Sequence, residues 1–230
     1  MRPPRSLLRQ FYAQLDAALA EFEAQYPQFL CPEGCCECCL FAPPFLLSLA
    51  EYEFLADYAR RNLSLTDLAR IRAAAEEQAQ TYEFAEVVAA EEDPAVRERL
   101  PRTRCPFLEG GLCSVYSARP LACRMFGRTI FTSGPEAGRF NGCAILMEAA
   151  QPVLTGQTLK IHSADSLRQK IINLSVLIRM QGGVAAFNTL PKFIAELGFS
   201  WSERDLLQNF SGAVFWPEQP FPGQPFSHTW

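Results

Sequence analysis

The sequence predicts a mainly α protein, a helical chain built around one irregular, cysteine-rich centre with one short β-hairpin. Three observations lead there. Apolar residues recur at helical spacing over much of the chain. Extended runs are too few and too short for a parallel barrel or a doubly wound sheet. The stretch "CPEGCCECC", residues 31–39, crowds five cysteines into nine positions.

The elements follow in order. Leu7, Leu8, Phe11, Tyr12, Leu15, Leu19 and Phe22 mark an amphipathic helix over 6–25 that stops before Pro27. The cysteine stretch comes next, then the stiff turn "FAPPF". Ser48 and Glu51 form a capping-box pattern that opens a helix running towards Arg61. A long Ala/Glu/Gln-rich segment is expected as one helix over 66–92, ending before Pro94. Gly110 and Gly111 predict a tight hairpin between Phe107 and Val115. Pro120 suits the first turn of a short helix carrying Cys123 and Arg124. "TSGPEAGRFNGC" reads as loop. Helices are expected again over 163–180 and 184–197, with a further short one from Ser202. The tail "FWPEQPFPGQPFSHTW" reads as extended, lying over the body. The natural division is 1–150, a cysteine-cluster metal-binding domain with its N-terminal helix, and 151–230, a helical extension packed on it.

Composition excludes several classes. At 230 residues and 49% apolar, the chain can bury a full core without cross-links. Its net charge is −4 and no Lys/Arg block occurs, which argues against nucleic acid as a partner. No apolar run reaches the length of a membrane span. Arg9, Gln10, Gln14 and Asp16 interrupt the first helix, so it lacks the hydrophobic region of a signal peptide. A cytoplasmic, reducing location is therefore expected, where clustered cysteines serve metals or catalysis rather than structural disulfides. The total of nine is odd, which also disfavours a closed disulfide framework.

The other cysteines, Cys105, Cys113, Cys123 and Cys143, lie in the turns and short helix of the middle segment. Two groups distant in sequence point to one site drawn from both, or to two adjacent four-thiolate sites. Cys35 and Cys38, and Cys36 and Cys39, are interleaved C-x2-C pairs, a spacing that offers both sulfurs to one ion. Adjacent cysteines are expected to diverge, so Cys38 and Cys39 could serve different metals or different irons of one cluster. Thiolates suit zinc, Cu(I) or iron–sulfur clusters. His162 and His228 are far from the cysteines in sequence and read as structural. Cys31-x3-Cys35-x2-Cys38 also matches the three-cysteine signature of radical S-adenosylmethionine enzymes, but the alternating βα pattern of their barrel is missing.

Together, "CPEGCCECC" and "CPFLEGGLCSVYSARPLACRMF" resemble the YkgJ family of bacterial cysteine-cluster proteins. Cys35, Cys38 and Cys39 match the end of the family's first cluster. Cys105 to Leu108 match its Cys-Pro-Phe-Leu element, and Cys113, Tyr116, Arg119, Pro120, Cys123, Arg124 and Phe126 match its last one. Cys143 is similar to a further downstream cysteine. Two departures stand out: the first gap is one residue longer, and Cys36 stands where the family has glycine. The resemblance implies zinc or iron, or a [4Fe–4S] cluster, held by Cys31, Cys35, Cys38, Cys39, Cys105, Cys113, Cys123 and Cys143, with Cys36 the spare thiol. It also implies a relation to flagellin lysine N-methylases, and so an alternative role as an iron–sulfur enzyme with a protein substrate. A metal chaperone or sensor is a third reading. Arg119 and Arg124 flank Cys123, and their guanidinium groups could offset thiolate charge at the bound metal.

Overall fold

The computed structural model describes residues 3–30, 35–132, 137–143, 146–148, 162–180, 184–202 and 210–215. The expected helix after Ser202 and the aromatic tail lie outside these residues, as do Cys31 and His228.

The described chain is mainly α, with small sheets at its edges. Helix α1 (Pro3–Gln25) buries Leu8, Tyr12, Leu15, Leu19 and Phe22. Leu7, part of the expected stripe, is 39% exposed. A single turn, α2 (Glu37–Leu40), lies within the cysteine stretch. Strand β1 (Leu46–Ser48) leads into α3 (Leu49–Asn62), and the expected capping box is formed. Ser48 Oγ accepts from Glu51 N, while the Glu51 carboxylate accepts from Ser48 N at 2.9 Å.

The segment expected as one helix over 66–92 is two: α4 (Leu65–Ala79), capped by Ser64, and α5 (Phe84–Glu92). Tyr82 causes the break. Its ring leaves the solvated helix track to pack with Val87, Ala90 and Leu100, and its hydroxyl lies 2.6 Å from Thr189 Oγ1. Asp93 then caps a short α6 (Pro94–Arg99) that the sequence reading did not separate.

The hairpin forms from β2 (Leu108–Glu109) and β3 (Leu112–Cys113). Gly110 and Gly111 have φ of 55° and 82°, the left-handed pair that a two-residue turn requires. Helix α7 (Leu121–Met125) follows Pro120. Within the expected loop, β5 (Phe140–Asn141) pairs with β4 (Thr129–Ile130), which also pairs with β6 (His162–Ser163).

Helix α8 (Ala164–Met180) lies where expected. The expected helix over 184–197 is instead strand β7 (Ala185–Thr189) followed by α9 (Leu190–Leu197). Pairing decides this: β7 is the middle strand between β1 and β8 (Ala213–Phe215), and that ladder outweighs the helix preference of two alanines. Thr189 then caps α9, with Pro191 in its first turn.

One apolar cluster joins α3 and α4 with Phe107, Val115, Phe193 and Ile194; a second joins α1 with Leu121, Met125 and α8. Both draw residues from either side of position 150. Among the described residues, no helix is long and apolar enough to cross a membrane.

Candidate metal centre

The two cysteine groups meet through backbone first. Cys105 N donates to Cys39 O at 2.6 Å, and Ala42 and Thr103 form an isolated antiparallel bridge. This tether lays the α2 turn along the segment that opens the hairpin. Inside the turn, the Cys36 carbonyl accepts from Cys39 N and Leu40 N at 2.8 and 2.9 Å. The sulfurs of Cys38 and Cys39 stand 4.0 Å apart, so these neighbours share one side rather than diverging. Two thiolates bound tetrahedrally at about 2.3 Å from one zinc would be ~3.8 Å apart.

The thiols of Cys105, Cys113 and Cys123 lie near enough to act on this pair from three elements: the approach to the hairpin, β3 and α7. The electrostatics record the crowding. The Cys39 thiol is pushed up to about 12, first by the Cys105 thiol, with the Cys38 thiol pulling down and burial adding to the rise. Cys38, on an exposed residue, is raised first by its interaction with Cys39 and then by the partial covering of its sulfur. Burial raises Cys123, and Cys113, Cys39 and Cys38 raise it further. Cys113 is raised by burial, while the Arg119 guanidinium opposes the shift. Burial and the repulsion expected between neighbouring thiolates act together to keep these thiols protonated, with the Cys38–Cys39 contact working against the rise at Cys39.

All eight described cysteines are free. Cys36 meets this group through its carbonyl, which accepts from Cys39 N. Cys35 and Cys36 are half-buried ahead of α2. Cys143 packs against the cluster of Phe22, Phe29, Phe140 and Leu146. His162 lies in β6.

The two arginines take different places. Arg124 is 2% exposed and fully engaged: its Nη1 donates to the Asp16 carboxylate, its Nε to Arg119 O at 2.9 Å and its Nη2 to Ser117 O at 2.9 Å. Its guanidinium also lies 4.2 Å from the Tyr12 ring centroid. Arg119 is stacked on Tyr116 at 3.9 Å, and its charge reaches both Cys113 and Cys123. Arg128, which the sequence reading passed over, stands close enough for its charge to act on Cys38. Its place in "CRMFGR", five residues after Cys123, is the one local signal that could have found it.

The donor chemistry fits a thiophilic ion, zinc or iron, with cationic side chains at the edge of the cluster. The fit is pairwise: among the described residues, no three Cys, His, Asp or Glu side chains are grouped so as to hold one ion. A helical scaffold gathering reduced thiols from separate elements defines the class of cysteine-cluster metal-chelating domains. A family model described as "CxxCxxCC: Putative zinc- or iron-chelating domain" matches residues 30–144, half of the chain, and the chain belongs to this family. No curated protein and no solved structure matches it.

Proposed function

We propose that the protein binds zinc or iron through thiolates of both cysteine groups, with Cys38, Cys39, Cys105, Cys113 and Cys123 as the central donors and Cys31, Cys35 and Cys143 completing the set. The observation that carries this reading is the approach of the Cys38 and Cys39 sulfurs to each other, with Cys105, Cys113 and Cys123 near enough to act on them, while neighbouring thiols and burial together hold Cys38, Cys39, Cys113 and Cys123 in their protonated form. A bound ion would supply the positive charge that lets them lose their protons, and metal uptake would release those protons. Its role is to fasten the 35–42 segment to the hairpin and α7, a connection otherwise made by a few backbone hydrogen bonds. Such a centre needs reduced thiols, which is consistent with a cytoplasmic location.

Anaerobic purification followed by iron, zinc and acid-labile sulfide analysis tests the proposal. The expected result is at least one iron or zinc per chain. Equimolar sulfide with a brown colour would assign an iron–sulfur cluster, and a colourless zinc protein a mononuclear or multinuclear thiolate site. Less than about 0.1 metal per chain, with all thiols titratable, contradicts it.

A further inference from the structure

Between α1 and the residues that lead into and follow α7 lies a cavity of about 290 Å³ with an unusual wall. Asp16, Glu23, Tyr116, Arg119, Arg124 and Arg128 line it. Two of its arginines are neutralised in place: Arg124 by Asp16, and Arg128 by Glu23. Arg119 is different. Among the described residues its side chain makes no ion pair and donates no hydrogen bond, and its Nε is buried without a partner. The Tyr116 ring takes one face of the guanidinium. Stacking of this kind engages the face and leaves the N–H groups, which lie in the guanidinium plane, available to an acceptor. A donor group without a protein acceptor is unfavourable where water is excluded, so the unpartnered guanidinium favours an acceptor supplied by a ligand.

We propose that this cavity binds a small monocarboxylate, its oxygens accepting from the in-plane donors of Arg119, and so holds an anionic ligand at the edge of the metal centre. The charge balance selects the ligand class. After the two internal pairs are counted, one positive charge remains, which matches a carboxylate. A phosphate carrying up to two charges would meet the carboxylates of Asp16 and Glu23 on the same wall. The volume is at the small end of the range for ligand sites, which favours a molecule of few heavy atoms over a large cofactor. Arg119 and Arg128 are also the two arginines whose charges act on the thiols, so the same residues border both sites. The proximity to a bound ion rests on the metal reading above; the carboxylate site itself does not.

The test is a titration of the full-length protein, as purified with its metal, with sodium acetate and separately with sodium phosphate, chloride holding ionic strength constant. The readout is the arginine Nε–H region of ¹⁵N-correlated NMR spectra, assigned through Arg119→Gln and Arg119→Lys. Both variants keep the backbone contacts of residue 119, whose N–H donates to Tyr116 O and whose carbonyl receives Arg124 Nε. A saturable acetate shift of the Arg119 Nε–H, at least threefold tighter than for phosphate and lost in Arg119→Gln, is the expected result. Arg119→Lys keeps the charge but not the fork, and should weaken acetate binding at least fivefold. Tighter phosphate binding overturns the carboxylate assignment. A linear, unsaturated shift, or equal saturation in Arg119→Gln, overturns the site. Metal content measured on the same samples separates the two readings: acetate saturation without stoichiometric metal removes the metal reading alone, and metal without acetate saturation removes this one alone.

Discussion

Helix α7 carries two adjacent residues into opposite environments. Arg124 enters a polar anchor in which every group is matched by another protein group. Asp16 and two carbonyls accept from it, and nearby the Glu51 carboxylate accepts from Tyr12 Oη at 2.8 Å, Leu121 N at 2.9 Å and both Ser48 donors. That one buried carboxylate ties α1, the start of α3 and the start of α7 together. Cys123 enters the thiol centre, where burial and then the thiols of Cys113, Cys39 and Cys38 oppose its ionisation, while the Arg119 charge works against them. The contrast shows which part of the fold is complete with protein atoms alone. The anchor sets where α7 begins. The thiol centre is neutral while its thiols keep their protons, and on the proposed reading a cation is what would let them ionise.

Removing the metal should be the largest perturbation. Thiolate-bound zinc contributes about 10–16 kcal/mol in small peptides, and even part of this should shift the Tm by more than ~10 °C. Calorimetry with and without a strong chelator measures it; a change under about 2 °C would place the thiol centre in the same self-sufficient class as the anchor. Single thiols come next. Cys39→Ser and Cys38→Ser should lose at least half of the bound metal, whereas Cys36→Ser should retain most of it, as read by elemental analysis. Equal losses in all three would erase the distinction between gathered and spare thiols.

The anchor should respond in the opposite sense. Glu51→Ala leaves four donors on three buried residues, Tyr12, Ser48 and Leu121, without their acceptor and should cost about 3 kcal/mol. That cost should be similar in metal-loaded and metal-free protein when followed by urea unfolding, with metal content unchanged. A cost that appears only with metal bound would mean that the two regions are one unit.

A smaller effect concerns pH. In metal-free protein the folded thiols hold protons that unfolded thiols, with an ordinary value near about 8.5, release. Between the unfolded value and the raised folded value the unfolded chain binds fewer protons, so stability falls as pH rises. The Tm of the metal-free protein should therefore drop by a few degrees between about pH 8 and 9, below the ordinary phenol value near 10 from which the raised phenols of Tyr12, Tyr52 and Tyr82 contribute. The metal-loaded protein, whose thiolates are already deprotonated, should lack this slope. Parallel melts over that window check it.

Local chemistry made much of this legible in the sequence. The α1 stripe, the Ser48–Glu51 box, the Gly110–Gly111 turn and the start of α7 after Pro120 are each fixed within a few residues. The break at Tyr82 and the strand at Ala185–Thr189 are not, because each depends on a partner far along the chain. Tyr82 meets Thr189, and β7 is held between β1 and β8. The same limit applies to the site. Cysteine spacing identified the thiols as donors, yet "ACRM" gives no sign that Cys123 and Arg124 face different ways. Asp16 is the acceptor that decides it, and it lies 108 residues from Arg124.

X-ray absorption at the edge of the metal found in the purified protein tests the central claim most directly. The expected result is a stoichiometric ion with a shell of about four sulfur neighbours near 2.3 Å, reduced in Cys39→Ser and in Cys123→Ser and intact in Cys36→Ser. A shell of oxygen or nitrogen only, or a sulfur count that no single substitution in either cysteine group changes, would contradict a centre built from both.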